Sequence, residues 1–269
     1  SDTATSTHLR RQVKMAAALQ AANLENAAGG SGNDQLMGNA ANNVLTGNGG
    51  NDALAGGAGN DVYMCGEAVS AETDTVSELT NEGIDRLDFS LLTTAVTVDL
   101  ASDAPLAAHG LRVIQTGKGL AGNFEAATGG SGHDTLLGNA AANTLTGNLG
   151  DDVLTGGEGD DTLVGGRGND TYIFAAAAAV QTDTIDERSG EGTDTLDFST
   201  LDTAVTVNLT SDTATATHAQ RTVRTPLAGR VAYLENVIGG SAADTITGNS
   251  SANALQGRGG HDVLTGGAG

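Results

Sequence analysis

A nine-residue period constrains this chain more than any other feature. From Gly29 the sequence reads GGSGNDQLM, GNAANNVLT, GNGGNDALA and GGAGNDVYM. From Gly129 it reads GGSGHDTLL, GNAAANTLT, GNLGDDVLT, GGEGDDTLV and GGRGNDTYI. From Gly239 it reads GGSAADTIT, GNSSANALQ, GRGGHDVLT and a final GGAG. One apolar residue every nine positions marks no face of a helix, but it suits short strands separated by glycine-rich turns. Position 8 is Leu, Ile or Tyr in every complete nonad. Positions 7–9 therefore predict a three-residue strand, with position 8 pointing inward and its neighbours outward. Positions 1–6 predict the turn. Two nonads make one coil with a turn at each edge, and coils stack at the inter-strand spacing of about 4.8 Å.

Position 6 carries the chemistry. It is Asp at 34, 52, 61, 134, 152, 161, 170, 244 and 262, and Asn at 43, 143 and 253. Stacked coils place Asp34 near Asp52, Asp134 near Asp152, and Asp152 near Asp170. On the opposite edge Asn43 meets Asp61 and Asn143 meets Asp161, and Asp244 meets Asp262 in the last block. Carboxylates held that close repel each other unless a cation lies between them. The turn glycines Gly30, Gly32, Gly57, Gly59, Gly130, Gly132, Gly157, Gly159, Gly166 and Gly168 leave backbone carbonyls bare beside those acids. Carboxylate plus carbonyl is an all-oxygen ligand set of the kind calcium accepts with flexible geometry, whereas magnesium demands a stricter octahedron. Asp34, Asp52, Asp61, Asp134, Asp152, Asp161, Asp170, Asp244 and Asp262 are thus the expected Ca²⁺ carboxylates. About six ions would offset about half of the formal charge of −21.

Tandem GGxGxDxUx units resemble the repeats-in-toxin (RTX), or hemolysin-type, calcium-binding nonapeptide. The resemblance covers the nonads and leaves the spacers out. It implies a parallel β-roll, secretion by a type I system and folding triggered by external calcium. The second nonad of each block departs from the pattern. GNAANN, GNAAAN and GNSSAN lack the glycines at positions 2 and 4 and put Asn43, Asn143 and Asn253 where Asp belongs. Weak or no calcium is expected there, with the Asn side chain capping its turn.

A longer repeat of about 100 residues encloses the short one. Asp88-Phe89-Ser90 returns as Asp197-Phe198-Ser199, and Leu24-Glu25-Asn26 as Leu234-Glu235-Asn236. This divides the chain into a partial spacer (1–28), a first block (29–64), a spacer (65–128), a second block (129–173), a spacer (174–238) and a third block (239–269), all one array. Both ends look cut from something longer. The spacers are too long to be structureless loops in a compact fold. Their strand-like runs at 74–76, 87–89, 95–100, 183–185, 196–198 and 204–209 predict that they continue the solenoid as irregular coils, with Pro105 and Pro226 in outer loops. Asp85 and Asp194 end degraded nonads and read first as solvated turn residues, second as extra ligands. Residues 10–22, with basic Arg10, Arg11 and Lys14, suggest a short helix, and Ala175–Ala179 has helical composition.

No constellation in the sequence suggests catalysis. His8, His109 and His218 recur at one spacer phase, His133 and His261 sit at position 5, and all read as exposed repeat residues. Cys65 reads as a small buried hydrophobe, and Gly117–Gly122 matches GxGxxG only by chance. An acidic chain repels phosphate backbones, which argues against nucleic acid as a partner. No apolar run is long enough to insert in a membrane as a helix. The expectation is an all-β parallel β-roll, a calcium-rigidified extracellular rod in a bacterial adhesin, surface layer or filament, with self-association as a further partner. The alternative is a C-terminal secretion and folding module of an exoenzyme or toxin. Ice binding by outward Thr135, Thr144, Thr146, Thr155, Thr162 and Thr171 is a third reading, weakened because Val, Ala and Met interrupt those columns.

Overall fold

A computed structural model describes residues 25–80 and 82–269 of the chain. The helix suggested over 10–22 and His8 lie outside the described residues. The chain forms two compact units, one ending at Ser131 and one beginning at Gly132. Nearly all of the regular elements in both are short strands joined by turns.

The first unit runs β1 (Asn26–Ala28), β2 (Gln35–Met37), β3 (Val44–Thr46), β4 (Ala53–Ala55), β5 (Val62–Met64), β6 (Glu72–Ser77), β7 (Arg86–Asp88), β8 (Thr97–Asp99), β9 (Ala107–His109), β10 (Arg112–Gln115) and β11 (Ala126–Thr128). From β1 to β7, alternate strands enter alternate sheets. One sheet has the order β1-β3-β5-β7-β11, the other β2-β4-β6-β10-β9-β8. Pairing is parallel and steps by one coil, with Leu36 beside Leu54 and Leu45 beside Tyr63. Every strand of positions 7–9 in this unit buries its middle residue. Each inward Leu contributes roughly 2 kcal/mol by burial, so the core is a column of single side chains between two sheets.

The second unit repeats the plan with β12 (Thr135–Leu137), β13 (Thr144–Leu149), β14 (Val153–Thr155), β15 (Thr162–Arg167), β16 (Thr171–Ile173), β17 (Gln181–Ile185), β18 (Thr195–Asp197), β19 (Thr206–Asn208), β20 (Ala216–His218), β21 (Arg221–Arg224), β22 (Asn236–Ile238), β23 (Thr245–Thr247), β24 (Ala254–Gln256) and β25 (Val263–Thr265). Its sheets are β13-β15-β17-β21-β20-β19-β23-β25 and β12-β14-β16-β18-β22-β24. Each unit is a parallel β-roll, as the nine-residue period predicts.

The spacers extend the same sheets. Val76 of β6 lies beside Leu54, and Leu87 of β7 beside Tyr63; Ile185 and Leu196 repeat this against Leu163 and Tyr172. The coil length changes from 18 residues between nonads to 22 and 24 at these steps. Larger coils need larger side chains to fill them. Phe89, Phe124, Phe174 and Phe198 are all buried there, with Tyr63 edge-on to Phe124 at 5.9 Å and Phe174 stacked on Phe198 at 5.2 Å.

One feature departs from the expected parallel coils. Each spacer inserts an antiparallel meander, β8-β9-β10 in the first unit and β19-β20-β21 in the second. The hairpins turn on Gly110 (φ 53°) and Ala219 (φ 45°). Positive φ suits the twist of a tight hairpin, but Ala219 gives no sequence signal for it. Ala175–Ala179, helical in composition, is an irregular connection between β16 and β17; five residues cannot repay the cost of helix nucleation. Pro105 and Pro226 lie in exposed loops.

Candidate metal centre

The strand alternation that buries position 8 also buries position 6. Asp34, Asp52, Asp61, Asp134, Asp152, Asp161, Asp170 and Asp244 all point inward and are buried; Asp262 is half-buried. Each lies one coil from the next, as the spacing predicts. The Asp34 N–H donates to Asp52 Oδ1 at 2.8 Å, Asp134 to Asp152 at 2.7 Å, Asp152 to Asp170 at 2.8 Å and Asp244 to Asp262 at 2.9 Å. On the opposite edge the N–H groups of Asn43 and Asn143 donate to Asp61 and Asp161 at 2.7 and 2.8 Å. These bonds make two ladders of acids, one along each edge of the roll.

The ladders do not stop at the nonads. Asp52 donates to Asp74 Oδ1 and Asp61 to Asp85 Oδ1, at 2.9 and 2.8 Å. Asp161 and Asp170 donate to Asp183 and Asp194, at 3.2 and 2.9 Å. Asp85 and Asp194 in turn donate to Glu125 and Glu235. Asp85 and Asp194 are each 1% exposed, which overturns their reading as solvated turn residues. Sequence reasoning missed Asp74 and Asp183 as ladder members. A signal was there: Asp74-Thr75-Val76 and Asp183-Thr184-Ile185 keep the Asp-x-apolar core of a nonad without its glycines.

Two kinds of turn carry these acids. In the first coils of a block, the side chain caps its own turn. Gly30 N–H donates to Asp34 Oδ2 and Gly240 N–H to Asp244 Oδ2, at 2.5 and 2.7 Å. Asn39, Asn139 and Asn249 donate in the same way to Asn43, Asn143 and Asn253, at 2.7 to 2.8 Å. The Asn nonads are therefore closed by their own amides, as expected. In the later coils the turn is open. Position 2 takes positive φ at Asn48, Gly57, Asn148, Gly157 and Gly166, and position 4 at Gly50, Gly59, Gly150, Gly159 and Gly168. Only glycine, and less readily Asn, enters that region cheaply. Gly30, Gly32, Gly130 and Gly132 lie outside that positive-φ set among the described residues.

Position 1 supplies a constraint the sequence reading overlooked. A Cβ on Gly29 would lie 2.5 Å from both Asp34 Oδ2 and Gly47 O. Gly47, Gly56, Gly147, Gly156, Gly165, Gly239 and Gly257 face their own aspartates in the same way. Glycine there is a matter of room for a carboxylate, not of backbone conformation.

Three observations fit this donor set to a divalent cation. First, the second oxygens of Asp52, Asp61, Asp152, Asp161 and Asp170 are buried without a hydrogen-bond partner, and a buried unpartnered carboxylate oxygen is costly. Second, burial pushes the carboxyls of Asp52, Asp152 and Asp161 up to about 7, and neighbouring acids add to it: Asp74 and Asp34 for Asp52, Asp134 and Asp170 for Asp152, Asp183 for Asp161. Burial likewise raises Asp170 and Asp85 to about 6. Third, the chain places a cation of its own at one step. Arg112 donates to Asp74, pairs with Glu72 and reaches the position-2 carbonyl of Asn48. Arg221 donates to Asp183 and, at 2.7 Å, to the position-2 carbonyl of Gly157. A guanidinium thus takes ladder carboxylate and turn carbonyl together.

The histidines need correction. His109 and His218 are each 4% exposed, not surface residues; their Nε2 atoms meet the hydroxyls of Thr94 and Thr203. His133 and His261 are exposed as expected. Cys65 is buried, and burial pushes its thiol up to about 12.

The RTX calcium-binding nonapeptide repeat family matches four stretches of the chain, 28–63, 128–163, 137–172 and 238–269. The chain carries RTX-type calcium-binding repeats over its three blocks. Its matched stretches are the open and closed turns just described, and the spacers that extend the ladders fall between them. No curated protein matches the chain. The repeats mark this RTX-type protein as a calcium-binding repeat protein. Among its described residues, no helix is long and apolar enough to cross a membrane.

Proposed function

We propose that this RTX-type protein is a calcium-dependent structural segment of a secreted bacterial protein, in an adhesin, surface layer or filament. One observation carries the reading: the inward acid ladders run through nonads and spacers alike. An array whose spacers share the ladder serves to hold structure throughout, whereas a secretion module needs only the nonads. The nine aspartates of position 6 are its calcium ligands, completed by carbonyls of the glycine turns, with Asn43, Asn143 and Asn253 contributing weakly. RTX repeat proteins are typically secreted, and the mechanism suits export. Without calcium, inward carboxylates and a formal charge of −21 oppose the fold. Outside the cell, calcium binds only the folded turns and stabilises them by mass action.

Circular dichroism with calcium and with a chelator tests this. Strong β signal is expected only with calcium; equal signal in both would sink the proposal. A graded variant pair tests the ligand assignment. Asp152 accepts from Asp134 and donates to Asp170, so it borders ions on both sides. Asp152→Ala is expected to lose about two ions and Asp262→Ala about one, counted by native mass spectrometry.

A further inference from the structure

The spacer steps hold a cluster that differs from the nonapeptide turns. Along β6 and just beyond it, Glu72, Asp74, Val76 and Glu78 alternate inward. Glu78 thus occupies the inward position that a nonad fills with its position-1 glycine. It is fully buried, as is Asp61, and Asp85 is 1% exposed. One carboxylate oxygen from each of the three lies within 4.8 Å of the other two. Asp170, Glu187 and Asp194 form the same buried group in the second unit.

The protein's own donors do not satisfy these groups. Asp61 Oδ1 accepts from Asn43 N–H, Asp85 Oδ1 from Asp61 N–H, and Glu78 Oε1 from the Tyr63 hydroxyl. Tyr63 is held there by the Gly56 N–H, which donates to its oxygen at 2.7 Å. That leaves Asp61 Oδ2 and Glu78 Oε2 buried and without a partner. In the second unit the leftover atoms are Asp170 Oδ2 and Glu187 Oε2, with Tyr172 standing where Tyr63 stands. The same spacers set Arg112 and Arg221 against Asp74 and Asp183 on the other edge. At this edge three acids converge, and among the described residues the only side-chain donor on their carboxylates is a tyrosine hydroxyl.

We propose that Asp61, Glu78 and Asp85, and likewise Asp170, Glu187 and Asp194, each hold a further calcium ion, one per spacer. These sites lie at the nonad-to-spacer step, and each takes two of its three acids from the spacer. The proposal rests on the calcium-binding reading of the nonads and adds to it. Three carboxylates around one point are a hard oxygen set, and a divalent ion there reaches both unpartnered oxygens at once.

Native mass spectrometry of the calcium-saturated chain tests it. Glu78→Gln and Glu187→Gln keep shape and the acceptor for the tyrosine hydroxyl. Each is expected to bind one ion fewer than the unmodified chain, and the double variant two fewer, with unchanged circular dichroism. An unchanged count in folded variants overturns the proposal and leaves a protonated carboxyl cluster. Should the variants fail to fold, a crystal structure of the unmodified chain grown in calcium decides. Density about 2.3–2.6 Å from the three carboxylates is expected; filled nonapeptide turns beside an empty cluster would overturn it. Absence of calcium from every site would instead sink the calcium reading itself.

Discussion

Each of the two full spacers extends both acid ladders and fills their steps differently. In the first unit, the step from Asp52 to Asp74 on one edge carries Arg112, and the step from Asp61 to Asp85 on the other carries Glu78. In the second unit, the step from Asp161 to Asp183 on one edge carries Arg221, and the step from Asp170 to Asp194 on the other carries Glu187. The backbone ladder is the same on both edges. The sign of the charge between its rungs is opposite. The difference teaches that one backbone ladder can hold either sign of charge between inward acids. Where the chain supplies a guanidinium, the spacer acid has its counter-charge within the protein; where it supplies another acid, that charge must come from the proposed ion.

The largest effect expected is a reversal of pH dependence by calcium. In the metal-free fold, burial lifts Asp52, Asp152 and Asp161 from 3.8 to about 7. The folded chain then holds more protons than the unfolded chain between about pH 4 and about pH 7, so metal-free stability falls as pH rises through that window. With a chelator present, β signal at pH 5 should exceed that at pH 8. With calcium the order should invert, because protons compete with the ion for the same oxygens. The same pH trend in both conditions would break the claim that the ladders are cation sites.

Next in size is loss of the built-in cation. Arg112→Met leaves Glu72 and Asp74 buried and uncompensated, which costs roughly 3–5 kcal/mol. Urea unfolding in saturating calcium measures it. A loss below about 1 kcal/mol would mean that calcium already serves this edge and that the two edges are alike. The smallest effect sharpens the other edge. A Cβ on Gly56 would strike Asp61 and Glu78, whereas one on Gly66 meets nothing within 4 Å. Gly56→Ala should cost roughly 1–3 kcal/mol through crowding, and Gly66→Ala close to nothing, by the same measurement.

Much of this was legible in the nonads. The period of nine predicts the strand, the inward Leu and the inward Asp, because one short unit repeats its own neighbours. Pairs such as Asp34 with Asp52 follow from spacing alone. The buried roles of His109 and His218 were not legible, since recurrence at one spacer phase says nothing about which way a side chain points. The meander around Ala219 was missed for want of any turn residue to announce it.

The sequence by itself determined the roll, its register and the inward aspartates of its turns. Those properties depend on contacts at one fixed separation, 18 residues, that the repeat writes out in full. Only the tertiary structure decided which charges stand between the rungs in the spacers. Arg112 finds Asp74 across 38 residues and the carbonyl of Asn48 across 64, and Glu78 meets Tyr63 across 15. Separations so unequal do not follow from the nine-residue period. Which acid is answered by a guanidinium, and which meets only other acids, was therefore fixed by where the longer coils fold back.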